Sequence, residues 1–142
     1  MLRTTRFTLP LLALLFAYSV AHADDEKKIS SPSAGSCEHT VQQVFKAAQK
    51  DSFRDFLKWV HPEFKSNDRM KTSWKNYSYR QLVKRVKVIC SGSGCTYVMT
   101  RVQDVGKERK VFVKKRIQPS MPCPMTCRKN GEKWLLVRIG CI

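Results

Sequence analysis

Six cysteines, Cys37, Cys90, Cys95, Cys123, Cys127 and Cys141, are the residues of this chain with the narrowest choice of chemistry. Zinc asks for close Cys and His pairs in matched sets. Cys123 and Cys127 enclose three residues without a matching second pair, and Cys37-Glu38-His39 is isolated. No metal site is therefore expected, and nothing in the pattern calls for a cofactor. An even number of thiols in an oxidising compartment closes into disulfides instead, and all six are disulfide candidates. Cys90 and Cys95 flank Ser91-Gly92-Ser93-Gly94 and are expected to face each other across a hairpin loop. Cys37, if bridged, must reach one of Cys123, Cys127 or Cys141, and the remaining connectivity stays open.

Cations are the second chemical resource. The chain carries 27 Lys and Arg against 11 Asp and Glu, a formal charge of +16. Residues 69–103 hold eight basic side chains (Arg69, Lys71, Lys75, Arg80, Lys84, Arg85, Lys87, Arg101) and no acid, and residues 107–116 add six more. Such a field attracts anions and steers association with acidic partners. Lys84, Arg85, Lys87, Arg101, Lys110, Lys114 and Arg116 are the expected binding face. The run Trp74-Lys75-Asn76-Tyr77-Ser78-Tyr79-Arg80 interleaves aromatic and basic residues, a pattern that stacks bases or grips glycans. The same pattern is produced by one buried and one solvated face of a single segment.

The compartment is expected from the first residues. Arg3 and Arg6 precede an apolar run from Leu9 to Val20, which ends in Ala21-His22-Ala23. That order of basic, apolar and small residues is the layout of a cleavable signal peptide. A bilayer span needs roughly 20 apolar residues, and this run is shorter and broken by Pro10. Ala34-Gly35-Ser36-Cys37 faintly imitates a lipidation box but lies far from the apolar run, so no lipid anchor is expected. Export makes nucleic acid an improbable target and leaves an acidic protein or an anionic envelope component, in the periplasm or outside the cell. Cleavage after Ala23 leaves 142 less 23, or 119 residues, enough for one domain, with 25 cations against 11 acids, about +14.

The elements that must position these groups follow from periodicity. Residues 24–36 are polar and turn-rich and read as a flexible tether, with a single domain over 37–142. Val41, Val44, Phe45 and Ala48 recur at helical spacing, as do Phe53, Phe56, Leu57 and Val60 after Ser52, whose partner Asp55 makes a start resembling a capping box. His61 precedes Pro62, which ends the helix. Ser66-Asn67-Asp68 caps a third helix that would place Met70, Trp74 and Tyr77 on one face. Past Arg80 the period changes to two. Val86, Val88 and Cys90 predict a first strand, Thr96 to Val102 a second, Val111 to Ile117 a third, and Trp134 to Ile139, after the Asn130-Gly131 turn, a last strand that is apolar on both faces and central. Pro119, Pro122 and Pro124 interrupt the strands. The expected fold is α+β, with N-terminal helices packed on a curved antiparallel sheet of about four strands, stapled by disulfides.

The stretch Ala47-Ala48 leading to Asp51-Ser52-Phe53-Arg54-Asp55-Phe56-Leu57, then Val60-His61-Pro62-Glu63-Phe64, and the closing Asn130-Gly131-Glu132-Lys133-Trp134-Leu135-Leu136-Val137 resemble small exported members of the nuclear-transport-factor-2-like, or cystatin-like, superfamily. The resemblance covers about residues 38–142 and implies a cone-shaped cavity between helix and sheet. In enzymes of that group a carboxylate or histidine base sits there, which makes Asp55, His61, Tyr77, Tyr79 and Tyr97 the candidates for a catalytic reading. The same fold also hosts plain binding modules. The reading carried forward is a non-catalytic binding domain docking an acidic partner, of the immunity or inhibitor kind. A cavity enzyme using Asp55 or His61, and a cationic protein binding membranes or lipopolysaccharide, are the alternatives.

Overall fold

A computed structural model describes residues 31–90, 97–115 and 121–140. The expected leader over residues 1–23, Cys95, Arg116 and Cys141 lie outside the described residues, and so does the expected pairing of Cys90 with Cys95.

Helix α1, Cys37–Gln49, starts where Ser36 accepts a hydrogen bond from the His39 N–H at 3.1 Å. It buries the expected stripe of Val41, Val44, Phe45 and Ala48, joined by Thr40 and Ala47. The chain then breaks at Asp51, the one non-glycine among the described residues with a positive φ, 49°. Helix α2, Phe53–Lys58, opens as the capping pattern predicts, with Ser52 accepting from the Asp55 N–H. His61 ends this segment and caps a 3-10 turn over Pro62–Lys65. Helix α3, Asp68–Ser73, is capped by Asn67, which accepts from the Met70 N–H at 2.9 Å.

The expected shared face of Met70, Trp74 and Tyr77 is not formed. Trp74 is buried, but Met70 is 38% exposed and Tyr77 70% exposed. The reason is a π-helical turn over Trp74–Tyr79. Its i to i+5 bonding shifts the inward position from i+3 or i+4 to i+5, so Tyr79 rather than Tyr77 follows Trp74 into the core. The helix continues without a break as α4, Arg80–Ile89. This corrects the first predicted strand. Leu82, Val83, Val86 and Ile89 are its buried stripe, while Val88 is 66% exposed.

Four antiparallel strands in the order β1-β2-β3-β4 form one sheet: β1 Tyr97–Val105, β2 Glu108–Lys115, β3 Cys123–Asn130 and β4 Lys133–Ile139. The count matches expectation, but β3 replaces the strand lost to α4. It begins at Cys123, close behind Pro122, and accommodates Pro124, which pairs with Phe112. The Asn130-Gly131 turn joins β3 to β4 as predicted, and Gly131 adopts the positive φ, 63°, that such a turn requires. Bulges between Met99 and Arg101 and between Thr126 and Cys127 shift the register and bend those strands.

β4 lies at an edge of the sheet, not at its centre. Its apolar character on both faces has another cause, because the chain from α2 onward wraps around it. The His61 N–H donates to Leu136 O, and the Leu136 N–H donates to Trp59 O, both at 2.8 Å, beside a parallel bridge of Val60 with Leu136. The Trp134 N–H donates to Gly35 O at 2.8 Å, so the last residues of the expected tether are pinned to β4. Helix α1 packs across β2, β3 and β4, and α4 packs on α1. Phe45, Phe56, Leu82, Met125 and Leu136 are fully buried within the main core. Cys37 and Cys127, also fully buried, form a disulfide that ties the start of α1 to β3. Cys90, at the end of α4, and Cys123 are disulfide-bonded as well.

Candidate functional site

Strand alternation separates the cations of the sheet. On β2, Val111 and Val113 turn inward, so Lys110, Phe112 and Lys114 lie on the outer face, opposite Gln103, Arg101 and Val98 of β1. The expected binding face is thereby divided. Arg101, Lys110 and Lys114 stand on the outer side of the sheet, whereas Lys84, Arg85 and Lys87 belong to α4, on the helical side of α1.

Several sheet cations are already engaged. Arg128 donates to Glu63 at 2.7 Å and to Glu108 at 2.8 Å, and Arg138 donates to Glu108 at 3.3 Å. The Arg101 guanidinium lies 4.2 Å from the centre of the Phe112 ring, a cation over an aromatic face. At the far end of the sheet Arg109 is held by Asp104 at 2.6 and 3.0 Å, which draws the Asp104 carboxyl below the usual carboxylate range.

The helical side differs. A hollow of about 380 Å³ opens between the end of α1 and the continuous helix from Trp74 to Ile89, lined by Asp51, Lys75, Asn76, Tyr79, Arg80, Val83, Lys84 and Lys87. Its four cations are spaced along the helix at 75, 80, 84 and 87, so successive turns present them to one side. None of the four makes an ion pair among the described residues. The only acid of the lining, Asp51, accepts from the Tyr79 hydroxyl at 3.3 Å. Burial, and then the adjacent Asp51 carboxylate, push the Tyr79 phenol far above its ordinary pKa, so it remains a donor.

Of the seven predicted binding residues, the hollow gathers Lys84 and Lys87. Arg85 projects from another side of α4, and Arg101, Lys110 and Lys114 are on the sheet. Lys75, Asn76 and Arg80 were not assigned from sequence, although they lie in the acid-free run and in the aromatic-basic stretch noted there. Their grouping depends on the π-helical turn, which periodicity did not reveal.

The candidate bases have structural tasks. Asp55 accepts from Ser52 and, at 2.6 Å, from Lys58, and these contacts, Lys58 first, hold its carboxyl below the usual range. A general base near neutral pH requires the opposite shift. His61 Nδ1 accepts from the Glu63 N–H at 3.3 Å as a cap. Tyr97 packs its ring 4.5 Å from that of Phe45, and burial raises its phenol pKa. No helix among the described residues is long and apolar enough to cross a membrane. Compared with known proteins, the chain matches no family model, no curated protein and no solved structure.

Proposed function

We propose that the mature chain is an exported, non-catalytic binding domain that docks an acidic protein in the cell envelope, as an immunity or inhibitor protein does. The observation that carries this reading is the row of Lys75, Arg80, Lys84 and Lys87, four cations around one hollow with no acid paired to them among the described residues. Unpaired cations on one side keep their field in solution, where it raises the rate of encounter with a partner of opposite charge. Paired ones, such as Arg128 between Glu63 and Glu108, contribute much less. An enzyme reading gains no such support, since the Asp55 carboxylate is engaged by Ser52 and Lys58 and His61 serves as a cap.

The experiment is affinity capture from the native envelope, followed by binding of the purified pair. A discrete acidic protein should bind in fixed stoichiometry, weaken steeply as salt rises and shortens the field to about 8 Å at physiological strength, and bind poorly to a Lys84→Glu/Lys87→Glu variant. Should the variant bind as well as the wild type, the helical row is not the docking surface. Uptake by anionic vesicles with no protein partner would favour the membrane alternative, in which each cation near anionic lipid contributes about 1 kcal/mol.

A further inference from the structure

We propose that the hollow between Asp51 and the helical segment from Lys75 to Lys87 is a site for a phosphomonoester group, borne by a free small molecule or by a lipid headgroup. This does not depend on the acidic protein partner proposed above.

The size fits a small ligand. About 380 Å³ lies near the lower end of the range for small-molecule sites, room for a phosphate and one attached ring or glycerol-sized group. The charge fits a dianion better than a single carboxylate. Four cations face one acid, Asp51, and a phosphomonoester carries roughly −1.5 to −2 at neutral pH, against −1 for an acidic side chain. The donors are also of the right kinds. Arg80 supplies a planar fork suited to two phosphate oxygens, and Lys75, Lys84 and Lys87 supply ammonium groups that approach as point charges. The Asn76 amide adds a neutral donor and acceptor for a hydroxyl of the attached group.

The backbone around the hollow is unusual at two independent places. The helix has its π-helical turn at Trp74–Tyr79, a feature that recurs at functional sites. It turns Trp74 and Tyr79 inward and brings Lys75 and Arg80 to the same side. Opposite, Asp51 is held at φ 49°, and its carboxylate is turned to the Tyr79 hydroxyl rather than to the neighbouring cations. The C-terminal end of α1 adds a partial negative charge of about half a unit, which the four cations outweigh.

The test uses the mature chain. Nitrogen-15 NMR titration with inorganic phosphate, against sodium chloride at equal ionic strength, should give saturable shifts centred on the Asn76 side-chain amide and the Arg80 Nε, with little change at Arg101 and Lys110. Arg80→Gln/Lys84→Gln, folded as judged by unchanged thermal unfolding, should bind at least ten-fold more weakly, and Arg101→Gln/Lys110→Gln as the wild type does. Vesicles containing phosphatidic acid, a monoester, should retain the chain better than vesicles with equal phosphatidylglycerol, a diester, if the group is carried by lipid. Saturable binding of free phosphate without vesicle retention identifies a soluble ligand. The proposal is overturned by shifts that follow ionic strength alone, by equal loss in both double variants, or by phosphate-insensitive retention on both vesicle types. It also fails if polyglutamate moves the same signals more strongly than phosphate at equal charge, in which case the acidic protein occupies the hollow. Failure of affinity capture leaves it standing.

Discussion

The Tyr79 hydroxyl donates to Asp51 Oδ1 at 3.3 Å across 28 residues, joining the one non-glycine with a positive φ among the described residues to the end of the π-helical turn. The same hydroxyl lies 3.5 Å from Ala47 O at the end of α1. One phenol therefore ties two irregular pieces of backbone to a regular helix.

Tyr79→Phe is expected to cost about 1 kcal/mol, the usual net worth of such a hydrogen bond, measured by urea unfolding. Asp51→Gly should be close to neutral, because relief of the left-handed conformation, roughly 1 kcal/mol, offsets the lost bond. Combined, the two should be less costly than their sum. If Tyr79→Phe costs as much in the Asp51→Gly background as in the wild type, the hydroxyl acts through Ala47 O alone.

Asp55 gives a pH prediction with a definite sign. Lys58 and Ser52 bond its ionised form, so its pKa in the fold lies below the unfolded value of about 3.9. A group shifted this way contributes stability above the unfolded pKa and loses it as pH falls through the folded one. The pair is exposed, so the contribution is small, but the midpoint is measurable by carbon-13 NMR. It should lie below that of a reference aspartate and rise in Lys58→Met. A midpoint well above the reference would mark Asp55 as a free base and restore the enzyme reading.

Much of this fold is written locally. Ser52, Asn67 and the Asn130-Gly131 turn mark their boundaries because capping and turn geometry involve only a few residues on either side. The errors arise where two local signals overlap or where a distant contact decides. Val86, Val88 and Cys90 alternate like a strand, yet Leu82, Val83, Val86 and Ile89 also make a helical stripe, and packing on α1 selects the second. β3 was hidden by Pro122 and Pro124, which a strand tolerates near its start. The acid-free run announced a cationic surface, but not which cations stay unpaired. Beyond that run, the pairing of the sheet cations depends on Glu108 meeting Arg128 and Arg138, 20 and 30 residues away, through strand register.

Gly140 is fixed by a close approach. A Cβ there would sit 2.6 Å from Pro124 Cγ and 3.0 Å from Pro124 O, while the Gly140 N–H donates to that same carbonyl at 2.8 Å. The ring has little freedom and the carbonyl belongs to β3, so Gly140→Ala must part the strands locally. We expect a loss of about 1–3 kcal/mol, as for other overpacking changes, with no effect on phosphate shifts at Asn76. A neutral substitution would mean that the chain after Ile139 can move away from Pro124 without disturbing the sheet.

The Cys37–Cys127 bridge closes a sequence separation of 90 residues, and a long loop is where a crosslink removes most freedom from the unfolded chain. It also stands at the meeting of α1 and β3, fully buried, with the Cys37 and Cys127 side chains within the main core. Replacing both by alanine should cost about 2–5 kcal/mol, seen as a lower urea midpoint. Because Asp51, just past the end of α1, lines the cationic hollow, the two effects can be separated. The bridge acts at the first residue of α1, 14 residues before Asp51, and the Thr40 hydroxyl still donates to Trp134 O at 2.5 Å to hold the helix on the sheet. In conditions where the double variant remains folded, phosphate should therefore shift Asn76 and Arg80 as in the wild type. Loss of those shifts in a folded double variant would show instead that the disulfide sets the position of α1 along its whole length.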